Sequence, residues 1–141
     1  MLAMARVVRL VTVADLGEQA DARRISVSAR HEAVLDDGRR IVLLDDRGWS
    51  ETLGGAGAAE IGDIWTTSSV QHIAETARMV VGPDEAYAGR TQDDMDAAHW
   101  STLAGTLRAH GVVVDAEELR RLPHDVELSD RLRATLDHAA G

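Results

Sequence analysis

The strongest pattern along the chain runs from Ile25 to Leu44. Ile25, Val27, Ala29, His31, Ala33 and Leu35 alternate with Ser26, Ser28, Arg30 and Glu32, the period of a strand with one buried face. Asp37-Gly38 predicts a two-residue type I′ turn, because both residues tolerate positive φ. Such a hairpin pairs Leu35 with Arg40, Ala33 with Val42 and His31 with Leu44. His31 then lies on the apolar side, as a hydrogen-bonded histidine at the edge of the core. Val34, Ile41 and Leu43 fall on the face opposite Ala33, Val42 and Leu44. In this register Ile41–Leu44 is apolar on both faces, which predicts a central strand covered twice.

Around this hairpin the pattern extends in both directions. Arg6 to Val13 reads as a first strand, rich in β-branched residues and ended by Asp15-Leu16-Gly17. Asp45-Asp46-Arg47-Gly48 reads as a turn, with a short strand from Trp49 to Leu53 beyond it. The period changes after the glycine-rich Gly54-Gly55-Ala56-Gly57. Ser68 and Gln71 form a capping-box pair ahead of Val70, Ile73, Ala74, Ala77 and Val80 or Val81, and Gly82-Pro83 stops that helix. Thr91 with Asp94 opens a second helix whose stripe is Met95, His99, Leu103 and Leu107, flanked by Trp100 and ended by Gly111. Asp115 with Glu118 opens a short third helix through Leu122, broken by Pro123. Ser129 to His138, with Leu128, Leu132 and Leu136 in line, reads as a terminal helix.

Strands first and helices afterwards predict an α+β fold: an N-terminal antiparallel β-meander of three to five strands, with C-terminal helices packed on one sheet face. Residues 1–141 are expected to form a single domain, with strands mainly in 1–53, a glycine-rich connection in 54–67 and helices mainly in 68–141.

Composition narrows the chemistry more than it directs it. There is no Cys, which excludes disulfides, thiolate nucleophiles and Cys-based metal sites. There is also no Lys, Asn or Phe, and all 15 basic residues are Arg. Those three absent residues have AT-rich codons, so the usage points to a GC-rich, bacterial genome. No apolar stretch has the roughly 20 residues of a membrane span, and the N-terminus has no signal-peptide pattern; a soluble, cytoplasmic protein is expected. The net charge is −9, and residues 51–100 hold nine acids against two Arg. An acidic middle argues against nucleic-acid binding and would suit a basic partner or a cationic ligand.

Motifs for chemistry mostly fail on inspection. Asp36-Asp37 and Asp45-Asp46, at opposite ends of one strand, stand roughly 20 Å apart and cannot share an ion. His72 with Glu75, Asp96 with His99, and His124 with Glu127 place an acid three residues from a histidine. With six His and 24 acids in 141 residues, about two such pairs arise by chance, so the three give no metal site. Gly55-Ala56-Gly57 begins like a dinucleotide fingerprint, but Glu60 occupies the third glycine position. Gly48-Trp49-Ser50-Glu51-Thr52 begins like a nucleophile elbow but lacks its final glycine.

No catalytic residue and no cofactor emerge. Surplus apolar surface on the sheet favours a non-enzymatic interaction or assembly domain that forms a homodimer. The alternative is a small-ligand binder or cryptic enzyme with a pocket between sheet and helices, built from Trp49, Trp65, Trp100, His72 and His99. Aromatic faces near carboxylates would suit a cation. A third reading is an acidic antitoxin- or immunity-type partner of a basic protein.

Overall fold

A computed structural model describes residues 5–52 and 63–140. Its elements run β1 (Val7–Leu16), β2 (Arg24–Leu35), β3 (Arg40–Thr52), a 3₁₀ turn (Ile64–Thr67), α1 (Val70–Val80), α2 (Gln92–Ala109), α3 (Ala116–Arg120), β4 (His124–Leu128) and α4 (Asp130–Ala140). β1, β2 and β3 form an antiparallel meander, and β4 joins the free edge of β1 in parallel, giving the order β3-β2-β1-β4. The class is α+β. The glycine-rich segment Gly54–Gly57 and Glu60 lie outside the described residues.

The hairpin turn differs from the expected one. Gly38 N–H donates to Leu35 O at 3.0 Å, and Leu35 N–H donates to Arg39 O at 2.8 Å. Within the turn only Gly38 has a positive φ, 87°, so a three-residue loop closed by a left-handed glycine replaces type I′. Asp37 uses its carboxylate instead, accepting Arg39 N–H at 3.0 Å. The longer loop shifts the first pairs to Val34↔Arg40 and Ala33↔Ile41, and irregularities on both sides of His31 then bring His31 opposite Leu44. Leu43, left over in the bulge, is buried beside Leu10, Ala33 and Leu35, and Ile41 and Leu44 pack against the same cluster. Val42 is 42% exposed. The expected division of these residues between two faces is therefore corrected, and β3 is an edge strand rather than a central one.

Two further expectations change. Asp45-Asp46-Arg47-Gly48 is continuous strand rather than turn, because β2 is long enough to template the whole of β3. A Cβ on Gly48 would lie 2.6 Å from Val27 O, so the glycine permits close strand approach there. His124–Leu128, where no strand is expected, is β4. Its five residues lack a long apolar run, and β1 supplies the partner: Leu10 N–H donates to Pro123 O and Ser129 N–H to Ala14 O, both at 2.8 Å.

Helix starts follow the side chains that free N–H groups demand. Ser69, not Ser68, caps α1 by accepting His72 N–H at 3.1 Å. Thr91 and Asp94 form the reciprocal box expected for α2. Asp115 stands at the start of α3 without a side-chain capping bond. Ser129 Oγ accepts Leu132 N–H at 3.2 Å and donates to Asp15 Oδ1 at 2.6 Å, fastening α4 to the end of β1. Arg131 and Ser129 together hold the Asp15 carboxyl below its usual range, against the opposing effect of burial.

Two apolar clusters join strands to helices. The first contains Leu10, Ala33, Leu35 and Leu43 with Leu103, Ala104 and Leu107 of α2, Val112 and Leu119. The second contains Ala14, Ile25 and Val27 with Ile64, Trp65, Ile73 and Ala77 of α1, and Leu132 and Leu136 of α4. The opposite side of the sheet carries charge. Glu32, 5% exposed, accepts from Arg30 Nε at 2.7 Å and from Arg40 Nη1 at 3.2 Å. Arg40 also grips both oxygens of Glu127 at 3.0 Å, linking edge strand β3 to edge strand β4. Val11 is fully buried on that side, among these charged chains. Among the described residues no helix is long and apolar enough to cross a membrane.

Candidate functional site

The helix-bearing side of the sheet has a polar seam between its two apolar clusters. Along β1 the inward positions read Leu10, Thr12, Ala14; Leu10 belongs to one cluster and Ala14 to the other. Thr12 pairs with His31 on β2, and Leu10 pairs with His124 on β4. Strand alternation thus delivers Thr12, His31 and His124 to one spot. Thr12 Oγ1 is 2.6 Å from His124 Nε2 and 3.2 Å from His31 Nδ1, and the two rings meet edge to face, with centroids 4.9 Å apart. Thr12 is 0% and His31 1% exposed; His124 is half-buried.

Both imidazoles are held neutral. Burial, reinforced by the charges that His124 and His99 would carry, lowers His31 to about 3. Burial and the positive charge of Arg78 push His124 down as well. His31 Nε2 has no hydrogen-bond partner although it is buried. An orphaned buried polar atom costs about 1–3 kcal/mol, and among the described residues the fold supplies no group that offsets this cost at His31 Nε2.

A cavity of about 360 Å³ opens at this seam. His31 and His124 form its polar wall, Met79, Val81, Pro83 and Trp100 its apolar one, and Arg78 its positive charge. The C-terminal end of α1 supplies the strip from Arg78 onward, because Gly82-Pro83 turns the chain away there. Arg78 is steadied by donating to His124 O at 3.1 Å. The polar groups are few and convergent in an otherwise apolar hollow, the usual make-up of a small-molecule site. Among the described residues no group of three or more His, Cys, Asp or Glu could hold a metal ion.

The five residues expected to form a pocket do not converge. Trp100 lines this cavity. His99, its neighbour on α2, stacks edge-to-face on Trp100 at 5.1 Å and lines a second hollow of about 210 Å³, with Arg47, Asp84, Tyr87 and Arg90. His99 Nε2 is buried without a partner, and burial lowers its pKa, helped by Arg47. Trp65 is 2% exposed in the second apolar cluster, its Nε1 donating to Asp21 O at 3.0 Å. Trp49 packs against that same cluster. His72 is exposed on α1, 3.8 Å from Glu51. The five residues therefore do not form one aromatic cage, and of them only Trp100 lines the cavity beside His31 and His124.

Thr12, His124 and Arg78 are the residues that sequence reasoning misses. A signal for Thr12 exists: it is the one polar residue on the inward positions Leu10, Thr12, Ala14 and Leu16. His124 has the same mark, alternating with Val126 and Leu128, but only after the segment is known to be a strand. Comparison with protein-family models, curated proteins and solved structures finds no match, so chemistry here rests on the geometry alone.

Proposed function

We propose that this chain binds a small, mainly apolar carboxylic acid in the cavity between β2, β4, α1 and α2. The observation that carries the reading is that His31, whose buried Nε2 has no hydrogen-bond partner, is among the residues lining a cavity of about 360 Å³. A ligand polar atom would remove its desolvation cost. Arg78 supplies the charge for a carboxylate, and Met79, Val81, Pro83 and Trp100 the surface for an apolar body. The neutral imidazoles favour a ligand with one negative charge, to be met by the guanidinium, over a cation.

A calorimetric thermal-unfolding screen tests this, using benzoate and hexanoate against their neutral analogues benzamide and hexanol. A carboxylate at 100 times its dissociation constant adds about 2.7 kcal/mol, a rise in Tm of roughly 8–10 °C for a chain of this size. Arg78→Met should erase the preference for the carboxylate over the amide. Equal or absent shifts for all four compounds would overturn the reading.

A further inference from the structure

We propose that the seam is a proton-shift site, in which His31 and His124, coupled through Thr12, relocate a proton within a bound carboxylic acid; this rests on the ligand-binding reading above. The coupling follows from hydrogen-bond valence. Thr12 Oγ1 contacts one nitrogen of each imidazole, and among the described residues it has no third partner. A hydroxyl has one proton to donate. When it donates to His31 Nδ1, His124 Nε2 must be the protonated nitrogen that donates to it. When it donates to His124 Nε2, His31 Nδ1 must carry the proton. Two neutral histidines facing one hydroxyl through different nitrogens therefore share a tautomer: both protonated at Nε2, or both at Nδ1.

The outer nitrogens, His31 Nε2 and His124 Nδ1, are consequently always opposite. One is an N–H donor and the other a bare acceptor. In the Nε2 form, His124 Nδ1 takes a proton from a C–H or O–H of the ligand while His31 Nε2 gives its proton to a second ligand atom. In the same concerted step His124 passes its Nε2 proton to Thr12 Oγ1 and the hydroxyl proton moves to His31 Nδ1, so that neither an imidazolium nor an imidazolate forms. The two hops carry one proton in net from His124 to His31, no net charge has appeared in the buried seam, and the pair has reached its Nδ1 form. Turnover in the opposite sense resets it, as does exchange with solvent at the half-buried His124. The reaction class is tautomerisation, such as keto–enol interconversion, which needs no oxidant, reductant or other co-reactant. Arg78 holds the carboxylate and stabilises enolate character beside it. His31 and His124 are the catalytic residues, and Thr12 is a positioning residue that transmits the proton.

The test has two arms on the full chain. Two-bond ¹H–¹⁵N NMR of the ¹⁵N-labelled protein at neutral pH reads the tautomers without any ligand: His31 and His124 should share one tautomer. One ring protonated at Nδ1 and the other at Nε2 would overturn the coupling. The second arm follows ketonisation of enol-phenylpyruvate by its ultraviolet absorbance, with the probe's dissociation constant measured by NMR titration. Thr12→Val should lower kcat about 100-fold with KM changed less than about threefold, and Thr12→Ser should restore most of it; the Ser variant keeps the arm decisive where the Val variant does not fold. Phenylpyruvate that binds near Arg78 but ketonises no faster than in buffer, or equally fast with Thr12→Val, overturns the proton shift and leaves ligand binding standing. Phenylpyruvate that does not bind, together with no carboxylate effect in the thermal screen, overturns both.

Discussion

Acidification should destabilise this protein through His31 well before its carboxylates are titrated. His31 is 1% exposed, and its folded pKa is about 3 against 6.5 in the unfolded chain. A depressed histidine pKa means that the unfolded state binds the proton first. Stability is therefore complete above pH 6.5 and falls as pH drops from there toward 3. Between pH 7.5 and pH 5, His31 alone should cost about 2 kcal/mol, at about 1.4 kcal/mol per pH unit below 6.5. His99 and His124 are depressed too and act in the same direction. The groups facing His31 from β1, β4 and α2 are Thr12, His124 and His99, and no carboxylate offsets its protonation. Urea unfolding at pH 7.5, 6 and 5 measures the wild-type loss. His31→Gln, which is neutral throughout and retains an amide to meet Thr12, should lose about 2 kcal/mol less over the same interval; His31→Asn serves as a second neutral replacement. Parallel pH dependence in wild type and both variants would refute the assignment, because it would place the proton uptake elsewhere.

Other perturbations test other parts of the fold. Glu32→Ala removes the carboxylate shared by Arg30 and Arg40; since both guanidiniums keep access to water, a loss of about 1–2 kcal/mol is expected in denaturant unfolding, and no loss would mean that the network contributes nothing. Gly48→Ala should destabilise by about 1–3 kcal/mol, because its Cβ meets Val27 O at 2.6 Å. Gly105→Ala, in α2 with no atom beyond its own stretch of helix within 4 Å of the new Cβ, should stabilise by about 0.8 kcal/mol; the same sign for both glycines would contradict the strand approach at Gly48. Ser129→Ala removes the cap of α4 and one bond to Asp15, costing about 1 kcal/mol and raising the Asp15 pKa in a carboxyl NMR titration.

What the sequence determined by itself was local. The alternation in β2, the reciprocal cap at Thr91 and Asp94, and the glycine-proline stop after α1 each act over a few residues, where backbone hydrogen bonding and side-chain spacing decide the outcome. The inward orientation of His31 was legible for the same reason, and so was the α+β class, from the change of period along the chain. Tertiary structure decided whatever depended on a distant partner. The hairpin register rested on a loop one residue longer than Asp37-Gly38 suggests and on bulges that send Ile41, Leu43 and Leu44 to one cluster. β4 exists because the edge of β1 completes its hydrogen bonds, which five residues cannot do alone. The site needed both: alternation aims Thr12, His31 and His124 inward, but only the parallel pairing of β4 with β1, more than 100 residues apart in the chain, brings them to one hydroxyl. Burial then keeps the imidazoles neutral, a property of the assembled seam that no short stretch of sequence contains.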